Sequence, residues 1–176
     1  NLNEEIVRDA VAHEIRISVV LRKCRLLASD INNEALRDWT IRELNGYKEI
    51  EEIPDYRSAS ITAKGFFIGP FSAQINDQPL PSSVLKKEHR WWATTAYFTQ
   101  PIASYEALTQ GDKANIRVDW PADMVAHYQT KFFEGYALNR AWQDIPQPAI
   151  IGLVDAVRNR VLEFGLELRT EIGGAD

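Results

Sequence analysis

Sulfur-containing residues are scarce in this sequence of 176 residues, which has one cysteine, Cys24, and one methionine. A lone cysteine excludes an intramolecular disulfide and argues against a metal site built from several thiolates. Cys24 falls on the apolar stripe of a predicted helix, so we expect a buried thiol rather than a nucleophile. This cysteine usage is typical of a protein from the reducing cytoplasm.

Long apolar runs are also absent from the chain. No stretch approaches the ~20 apolar residues that a membrane-spanning helix requires. The opening residues, 1–11, lack the basic-then-apolar order of a secretory signal peptide. We therefore expect a cytoplasmic protein with no membrane partner.

The sequence has no excess of positive charge, because 20 Lys and Arg residues face 25 Asp and Glu residues and the net charge is −5. A dedicated nucleic-acid-binding protein normally carries a basic surface, so this balance argues against that class and leaves room only for a local basic patch. A chain of this length can form one sizeable core, and we expect one domain over residues 1–176.

Apolar residues at helical spacing predict a helical region over about residues 1–47. The first helix begins near the N-terminus, with Asn3 as its cap. Two further helices are predicted over 18–31 and 33–47. Because the link between them is so short, they should fold back on each other as a helical hairpin.

The third helix has clear start and stop signals. Asn32 or Asn33 can cap its first turn. At its other end, Gly46 is free to adopt the left-handed conformation, and Tyr47 should then fold back toward the preceding turn. The apolar face of this helix consists of Leu36, Trp39, Ile41 and Leu44.

Composition changes after Pro54, and the region 54–145 predicts short strands and short helices. Strands are predicted near 57–68 and over 94–100, 114–121 and 135–145. Helices are predicted over 84–92, 102–110 and 122–133, and a loop over 76–83. Because strands and helices do not alternate strictly, we expect an α+β fold with a small, mostly antiparallel sheet in the middle.

Residues 148–172 predict one long C-terminal amphipathic helix, with Pro148 at its start. Its apolar residues recur in steps of four and three, which is the spacing of a seam between packed helices. The seam can pack across the chain's own domain, or its exposed part can form a homo-oligomer contact. The seam residues are Ile150, Val154, Val157, Val161, Phe164 and Leu168. Arg158, Arg160 and Arg169 are expected to pair with Asp155, Glu163 or Glu167.

A cluster of cations and tryptophans at residues 85–92 is the strongest binding candidate. Positive charges for phosphates and aromatic rings for bases together indicate contact with a single-stranded nucleic acid or a nucleotide. The alternative is that the charges form the solvated face of a short helix and that the two adjacent tryptophans point different ways, one of them into the core. The candidate residues are Lys86, Lys87, Arg90, Trp91 and Trp92.

Three residues could support acid–base or metal chemistry. Asp123 and His127 are four apart on a predicted helix, and Asp119 shortly precedes them. Such a set can bind a metal or orient a base, although an exposed i,i+4 pair is the simpler interpretation. Neither a nucleophile elbow nor a phosphate loop is present, so we assign no catalytic residue, no metal and no cofactor.

The segment 21–47, Leu-Arg-Lys through Arg-Glu-Leu-Asn-Gly-Tyr, resembles the start of the AbiTii domain of bacterial abortive-infection and other phage-defence proteins. Other segments agree with that resemblance in the expected order; they are 53–57, 64–71, 79–85, 100–108 and 154–168. No motif is matched between residues 110 and 145. The matching residues are turns, caps and core positions.

The resemblance implies a cytoplasmic bacterial defence protein, or the N-terminal module of a longer one. It brings no catalytic residues to these positions. We expect a non-enzymatic interaction or oligomerisation module that binds itself or another domain or subunit. A nucleic-acid or nucleotide sensor is the alternative, and a metal-dependent hydrolase or nuclease is the third hypothesis.

Overall fold

Helices come first and last along the chain, and short antiparallel strands lie between them, so the α+β prediction is confirmed. The structure, a computed structural model, describes residues 1–112 and 115–173. The chain divides into two units. Unit 1 consists of Asn1–Arg57, Phe98–Asp112 and Ile150–Asp176, and unit 2 of Ser58–Tyr97 and Lys113–Ala149. The single domain over residues 1–176 stays a prediction.

The described residues form seven α-helices and six strands, and single-turn 3-10 helices lie in the connections. In chain order the elements are α1 (Leu2–Val11), α2 (Ile17–Asp30), α3 (Glu34–Asn45), β1 (Ser58–Ser60), β2 (Thr62–Ile68), β3 (Gln74–Pro79), α4 (Trp91–Thr94), β4 (Thr95–Tyr97), α5 (Ile102–Glu106), β5 (Asn115–Asp119), α6 (Ala122–His127), β6 (Ala137–Pro146) and α7 (Gln147–Gly173).

Side-chain caps start two helices of unit 1. The Asn1 side chain accepts a hydrogen bond from an amide of the first turn at 2.8 Å, so Asn1 caps α1 and the prediction of Asn3 is wrong. Asn3 is buried instead, and its Nδ2 donates to the Gly165 carbonyl at 3.1 Å. Asn33 caps α3, as predicted, by accepting from the Leu36 amide at 3.0 Å. The predicted hairpin is confirmed, because α2 and α3 pack against each other.

A glycine with positive φ ends α3. Gly46 has a φ of 91°, a positive value of the kind that favours glycine, as predicted. Its ψ of 167°, however, lies outside the predicted left-handed helical region. A Cβ at this position would lie 2.9 Å from the Thr99 carbonyl oxygen. Tyr47 is buried, and its hydroxyl donates to Glu43 Oε1 at 3.1 Å. Tyr47 therefore folds back toward the preceding turn, as predicted.

The seam of α7 divides into a buried part and a half-buried part. The buried residues are Ile150, Val154, Val157 and Val161, and the half-buried residues are Phe164 and Leu168. Most of the seam is therefore used inside the fold. Only its C-terminal end is left for contact with anything else.

Arginines of α7 contact α1 and Tyr56 rather than acidic residues of their own helix. Arg158 donates to four carbonyls at and after the C-terminal end of α1, at 2.5–3.3 Å. A cation at this position interacts favourably with the negative end of the α1 dipole. Arg169 pairs with Glu4 at 2.8 Å, and Arg160 lies 4.9 Å from the Tyr56 ring centroid. The predicted pairs with Asp155, Glu163 or Glu167 are therefore wrong.

Unit 2 contains two antiparallel sheets. One consists of β1 and β4, and the other has the strand order β3-β2-β6-β5. The predicted strand near 57–68 is divided at Ile61 into β1 and β2, which belong to different sheets. The predicted strand over 114–121 corresponds to β5, and its first residue, Ala114, lies outside the described residues.

The prediction of a loop over 76–83 is wrong for residues 76–79, because β3 extends to Pro79 and pairs with β2. This edge strand is mostly exposed and has the sequence Gln-Ile-Asn-Asp-Gln-Pro. Asn, Asp and Pro are depleted in strands, and the segment shows no alternation of apolar and polar positions. Pairing with β2, which depends on tertiary structure, is what makes this segment a strand.

Two predicted helices of unit 2 are shorter than expected. The helix predicted over 84–92 consists of a 3-10 turn at Lys87–His89 followed by α4, and the helix predicted over 122–133 ends at His127. Beyond that end, Phe133 lies edge-on to the fully buried Phe67, with ring centroids 5.1 Å apart. Packing against the sheet therefore replaces further helical turns.

Candidate functional site

Glu43 and Arg57 form an ion pair in unit 1 with both side chains 0% exposed. Arg57 Nε donates to Glu43 Oε2 at 3.0 Å, and Nη2 donates to the same oxygen. Nη1 donates to the carbonyls of Phe98 and Gln100 at 2.6 and 2.8 Å. A buried charge is tolerated only when its hydrogen-bonding groups are paired, and this arrangement pairs both sides of the guanidinium.

Aromatic residues enclose this ion pair. The hydroxyls of Tyr47 and Tyr56 both donate to Glu43 Oε1, and the Trp39 indole donates to the Tyr56 hydroxyl at 2.9 Å. The Arg57 guanidinium lies 4.8 Å from the Tyr47 ring centroid, where the ring face stabilises the cation. It also lies 5.8 Å from the Tyr105 ring centroid. We call Trp39, Glu43, Tyr47, Tyr56, Arg57 and Tyr105 the buried ionic cluster.

The cluster also changes the titration of its tyrosines. Burial, followed by the negative charge of Glu43, raises the pKa of Tyr47 to about 12. The same two causes raise the pKa of Tyr56. Both hydroxyls are therefore protonated at neutral pH and remain available as donors to Glu43. The hydrogen bonds of the cluster hold α3 to residues 56–57 and 98–100 within unit 1, which is a structural role.

The buried face of α3 differs from the predicted one. Leu36, Thr40 and Glu43 are buried, whereas Trp39, Ile41 and Leu44 are only half-buried. The sequence signal was available, because Glu43 stands seven residues after Leu36 and so shares its helix face. Its partner, Arg57, has no such signal in the sequence, since the pairing joins residues 14 positions apart across a turn.

The predicted binding residues at 86–92 lie at the surface of unit 2. Lys86, Lys87 and Arg90 are exposed, and no ion pair involves them in the part of the chain that the structure describes. Trp91 and Trp92 stack on each other with ring centroids 4.3 Å apart. Both are half-buried, and because their rings stack they do not point different ways; Trp92 packs against the buried core of unit 2, as expected for one of the pair. We call these five residues the cation–aromatic patch.

A buried tyrosine positions the segment that carries this patch. The Tyr128 hydroxyl accepts from the Lys86 amide at 3.0 Å and lies 2.7 Å from His89 Nδ1. His127 is close by, with its ring centroid 6.2 Å from that of His89. Desolvation, followed by the positive charges of Lys86 and Lys131, lowers the pKa of His127. Lys86 and Lys131 therefore lie close enough to His127 to disfavour its charged form.

Asp119, Asp123 and His127 are not brought together as a metal-binding group. Asp119 lies 3.9 Å from Arg140 and lines a pocket of about 350 Å³ that includes neither Asp123 nor His127. Across residues 1–112 and 115–173, no group of three or more His, Cys, Asp or Glu side chains could hold a metal ion. The hydrolase hypothesis gains no supporting geometry from these residues.

Unit 1 has an open groove of about 820 Å³ between the α2–α3 turn and the C-terminal part of α7. Its apolar part consists of Phe164, Leu168 and Ile31, of which Ile31 is 40% exposed. The end of the α7 seam therefore opens onto this groove, whereas the rest of the seam is buried. We call the surface formed by Ile31, Glu34, Phe164, Glu167, Leu168 and Glu171 the acidic–apolar groove.

The charges of the acidic–apolar groove have one sign. Its charged lining residues are Glu34, Glu167 and Glu171. The nearby cation of α7, Arg169, is held by Glu4 through two hydrogen bonds at 2.8 and 3.0 Å. A partner with positive charge is therefore favoured.

The chain is thus an α+β protein with two exposed surfaces of opposite charge. It matches the AbiTii family over residues 1–176 and belongs to that family. Membership places it in the abortive-infection class of bacterial phage defence. No curated protein and no solved structure shows a significant match. In the described ranges, no helix has both the length and the apolar character needed to cross a membrane.

Proposed function

We propose that this chain is a non-enzymatic interaction module of an abortive-infection defence protein, and that it binds its partner through the acidic–apolar groove. The observation that supports this most is the division of the α7 seam. Its first four residues are buried within the fold, whereas Phe164 and Leu168 open onto the groove. Apolar surface left at the end of a seam, with a polar rim, is typical of a protein contact.

The groove offers both affinity and selectivity. Burial of the exposed parts of Ile31, Phe164 and Leu168 would contribute roughly 25 cal/mol for each Å² removed from water. The three glutamates would oppose a partner with negative charge and favour one with positive charge. The partner in this proposal is a second copy of the chain, or another domain or subunit of the defence system, in the cytoplasm.

Phage protection in bacteria that express the protein tests this proposal. Phe164→Ser with Leu168→Ser should reduce protection at least about tenfold, since both side chains leave the groove floor. The matched control is Leu26→Ser with Ile151→Ser, because these residues are also exposed and apolar but do not line the groove. The control should protect as well as the wild-type protein.

A second groove variant covers the case in which the serine variant does not fold. Glu167→Lys with Glu171→Lys changes two exposed side chains and should not unfold the helix. Circular dichroism and thermal unfolding establish which variants are folded. Full protection by folded groove variants would refute the proposed function.

The cation–aromatic patch supports a second candidate function, which is binding of single-stranded nucleic acid. Three exposed cations around a tryptophan pair have the composition of such a surface. We rank it second because Trp91 and Trp92 cover one face of each other, which leaves less ring surface for bases. The net charge of −5 also opposes a polyanion.

Fluorescence anisotropy with labelled single-stranded DNA and RNA tests this second candidate. Binding should weaken steeply with salt, by a logarithmic slope of about −0.7 for each phosphate neutralised. Lys86→Glu with Lys87→Glu should abolish it. The absence of salt-dependent binding to either probe would end this candidate.

A further inference from the structure

We infer that the acidic–apolar groove of one copy of the chain receives the cation–aromatic patch of a second copy. This inference rests on the proposed function and names the partner of the same groove. The contact would join different surfaces on the two copies, because the groove belongs to unit 1 and the patch to unit 2. The occupant is therefore a surface that is already present on this chain.

Charge complementarity is the first argument for this pairing. The groove presents Glu34, Glu167 and Glu171, and the patch presents an equal number of exposed cations. None of the patch cations has an acidic partner among the described residues. Opposite potentials on two contact surfaces steer association and fix their mutual orientation.

Apolar complementarity is the second argument. The groove floor contains half-buried Phe164 and Leu168, and the patch contains the half-buried pair Trp91 and Trp92. Tryptophan and arginine are enriched among the residues that dominate protein contacts, and lysine is not. We therefore expect the tryptophan pair and Arg90 to supply most of the affinity, and Lys86 and Lys87 to supply mainly the selection of the partner.

Both surfaces are held in place before any contact forms. The Lys86 amide donates to the buried Tyr128 hydroxyl, and Arg90 Nε donates to the Leu85 carbonyl at 3.3 Å. The groove residues stand on α7, on the capped start of α3 and, for Ile31, at the end of α2. A contact between ordered surfaces loses less conformational entropy than one between mobile segments.

A groove-to-groove dimer is the less favourable form of self-association. A symmetric contact would place three glutamates of one copy opposite three glutamates of the other. Groove-to-patch contact avoids this repulsion, and it leaves one free groove and one free patch at the two ends of every open assembly. Such a contact produces either a closed ring or an open chain of copies.

Sedimentation velocity of the wild-type protein over a concentration series is the first measurement. We expect species larger than a monomer at about 0.05 M salt, and at least about tenfold weaker association at about 0.5 M salt, since exposed charges are screened over a short Debye length. A protein that stays monomeric at low salt and at the highest concentration would overturn the inference.

Complementary variants then test which surfaces meet. The groove variant Glu167→Lys/Glu171→Lys and the patch variant Lys86→Glu/Lys87→Glu should each be monomeric. Mixed together, they pair the intact patch with the intact groove and the charge-reversed groove with the charge-reversed patch, so the mixture should associate although neither variant does alone. Association that persists in either variant alone, or no association in the mixture, would overturn the inference.

Two further proteins serve as controls for charge. A chain with all four substitutions restores opposite charges in swapped positions, and it should self-associate again. Glu51→Lys with Glu52→Lys makes the same charge change at two residues outside both surfaces, and should leave association unchanged. Loss of association in this control would mean that net charge, rather than the two surfaces, governs assembly, and would overturn the inference.

The outcomes also separate this inference from the proposed function. A monomeric protein whose phage protection still depends on the groove would remove the second copy as partner and leave the interaction module in place. Groove variants that protect fully would remove the proposed function, even if the chain self-associates. If the protein stays monomeric and its patch binds nucleic acid, nucleic acid rather than a second copy is the ligand of the patch, and the inference is overturned.

Discussion

The buried ionic cluster of unit 1 and the cation–aromatic patch of unit 2 contain the same residue types, cations and aromatic side chains, but differ in burial. In the cluster, Arg57 is 0% exposed and is held by Glu43 and by aromatic rings. In the patch, Arg90 is exposed beside Trp91 and Trp92 and has no acidic partner among the described residues. A cation near aromatic residues is therefore part of the structure where a buried carboxylate pairs with it. Where no carboxylate pairs with it, the cation is available for binding.

Breaking the buried ion pair should give the largest change in stability. Arg57→Ala leaves the Glu43 carboxylate buried without its cation, and we expect a loss of about 3–5 kcal/mol in the free energy of unfolding. Urea denaturation measures it. The matched control is Arg169→Ala, which removes an exposed pair and should cost at most about 1 kcal/mol. Equal losses in the two variants would contradict the contrast between buried and exposed charge.

Replacement of the glycine that ends α3 should have the next largest effect. Gly46→Val places a β-branched residue at a φ of 91° and a Cβ against the Thr99 carbonyl, so we expect a loss of about 3 kcal/mol. Gly152→Ala is the control, because a Cβ there meets no atom and the helix should gain about 0.5–1 kcal/mol. Thermal unfolding that is unchanged by Gly46→Val would show that this backbone conformation is not required.

Alkaline pH should weaken the buried ionic cluster. The pKa of Tyr47 is raised from 10.0 to about 12, so the folded state holds this proton more tightly than the unfolded chain does. The stabilisation from Tyr47 is thus fully present below pH of about 10 and is lost as the pH rises toward about 12. Urea midpoints measured across this range should fall with pH, and Tyr47→Phe should reduce the slope. If the urea midpoint of Tyr47→Phe fell with pH as steeply as that of the wild-type protein, a group other than Tyr47 would cause the pH dependence.

Changes in the patch should have the smallest effect on stability. Lys86→Ala with Lys87→Ala removes two exposed charges that form no ion pair within the described residues, and we expect a change within about 0.5 kcal/mol. The same variant should weaken self-association in sedimentation velocity. A large loss of stability together with unchanged association would reverse the roles of the buried ionic cluster and the cation–aromatic patch.

Local patterns were sufficient for the two ends of α3. Asn33 as a cap, a positive φ at Gly46 and the return of Tyr47 all follow from contacts within one or two turns, which the sequence encodes directly. The edge strand β3 was missed because its polar residues depend on β2 for their pairing. Strand pairing is non-local, so a short segment carries little signal of it.

The candidate surfaces were predictable only in part. The cation–aromatic patch was identified by composition, and the structure shows its cations exposed, while its binding role stays a prediction. The interaction helix was identified by its spacing, yet the same spacing describes buried Val157 and half-buried Leu168. A helical period specifies which residues share a face, and it does not specify what covers that face.

By itself, the sequence determined the α+β class, the hairpin, the two ends of α3 and the long C-terminal helix, because each depends on backbone preferences and on periodicity over a few turns. Tertiary structure alone decided that Glu43 meets Arg57 and that the α7 seam ends at an acidic groove. Those contacts join distant parts of the chain. Tertiary neighbours determine whether a charge is paired and whether an apolar face is buried or exposed. No local sequence pattern contains that information.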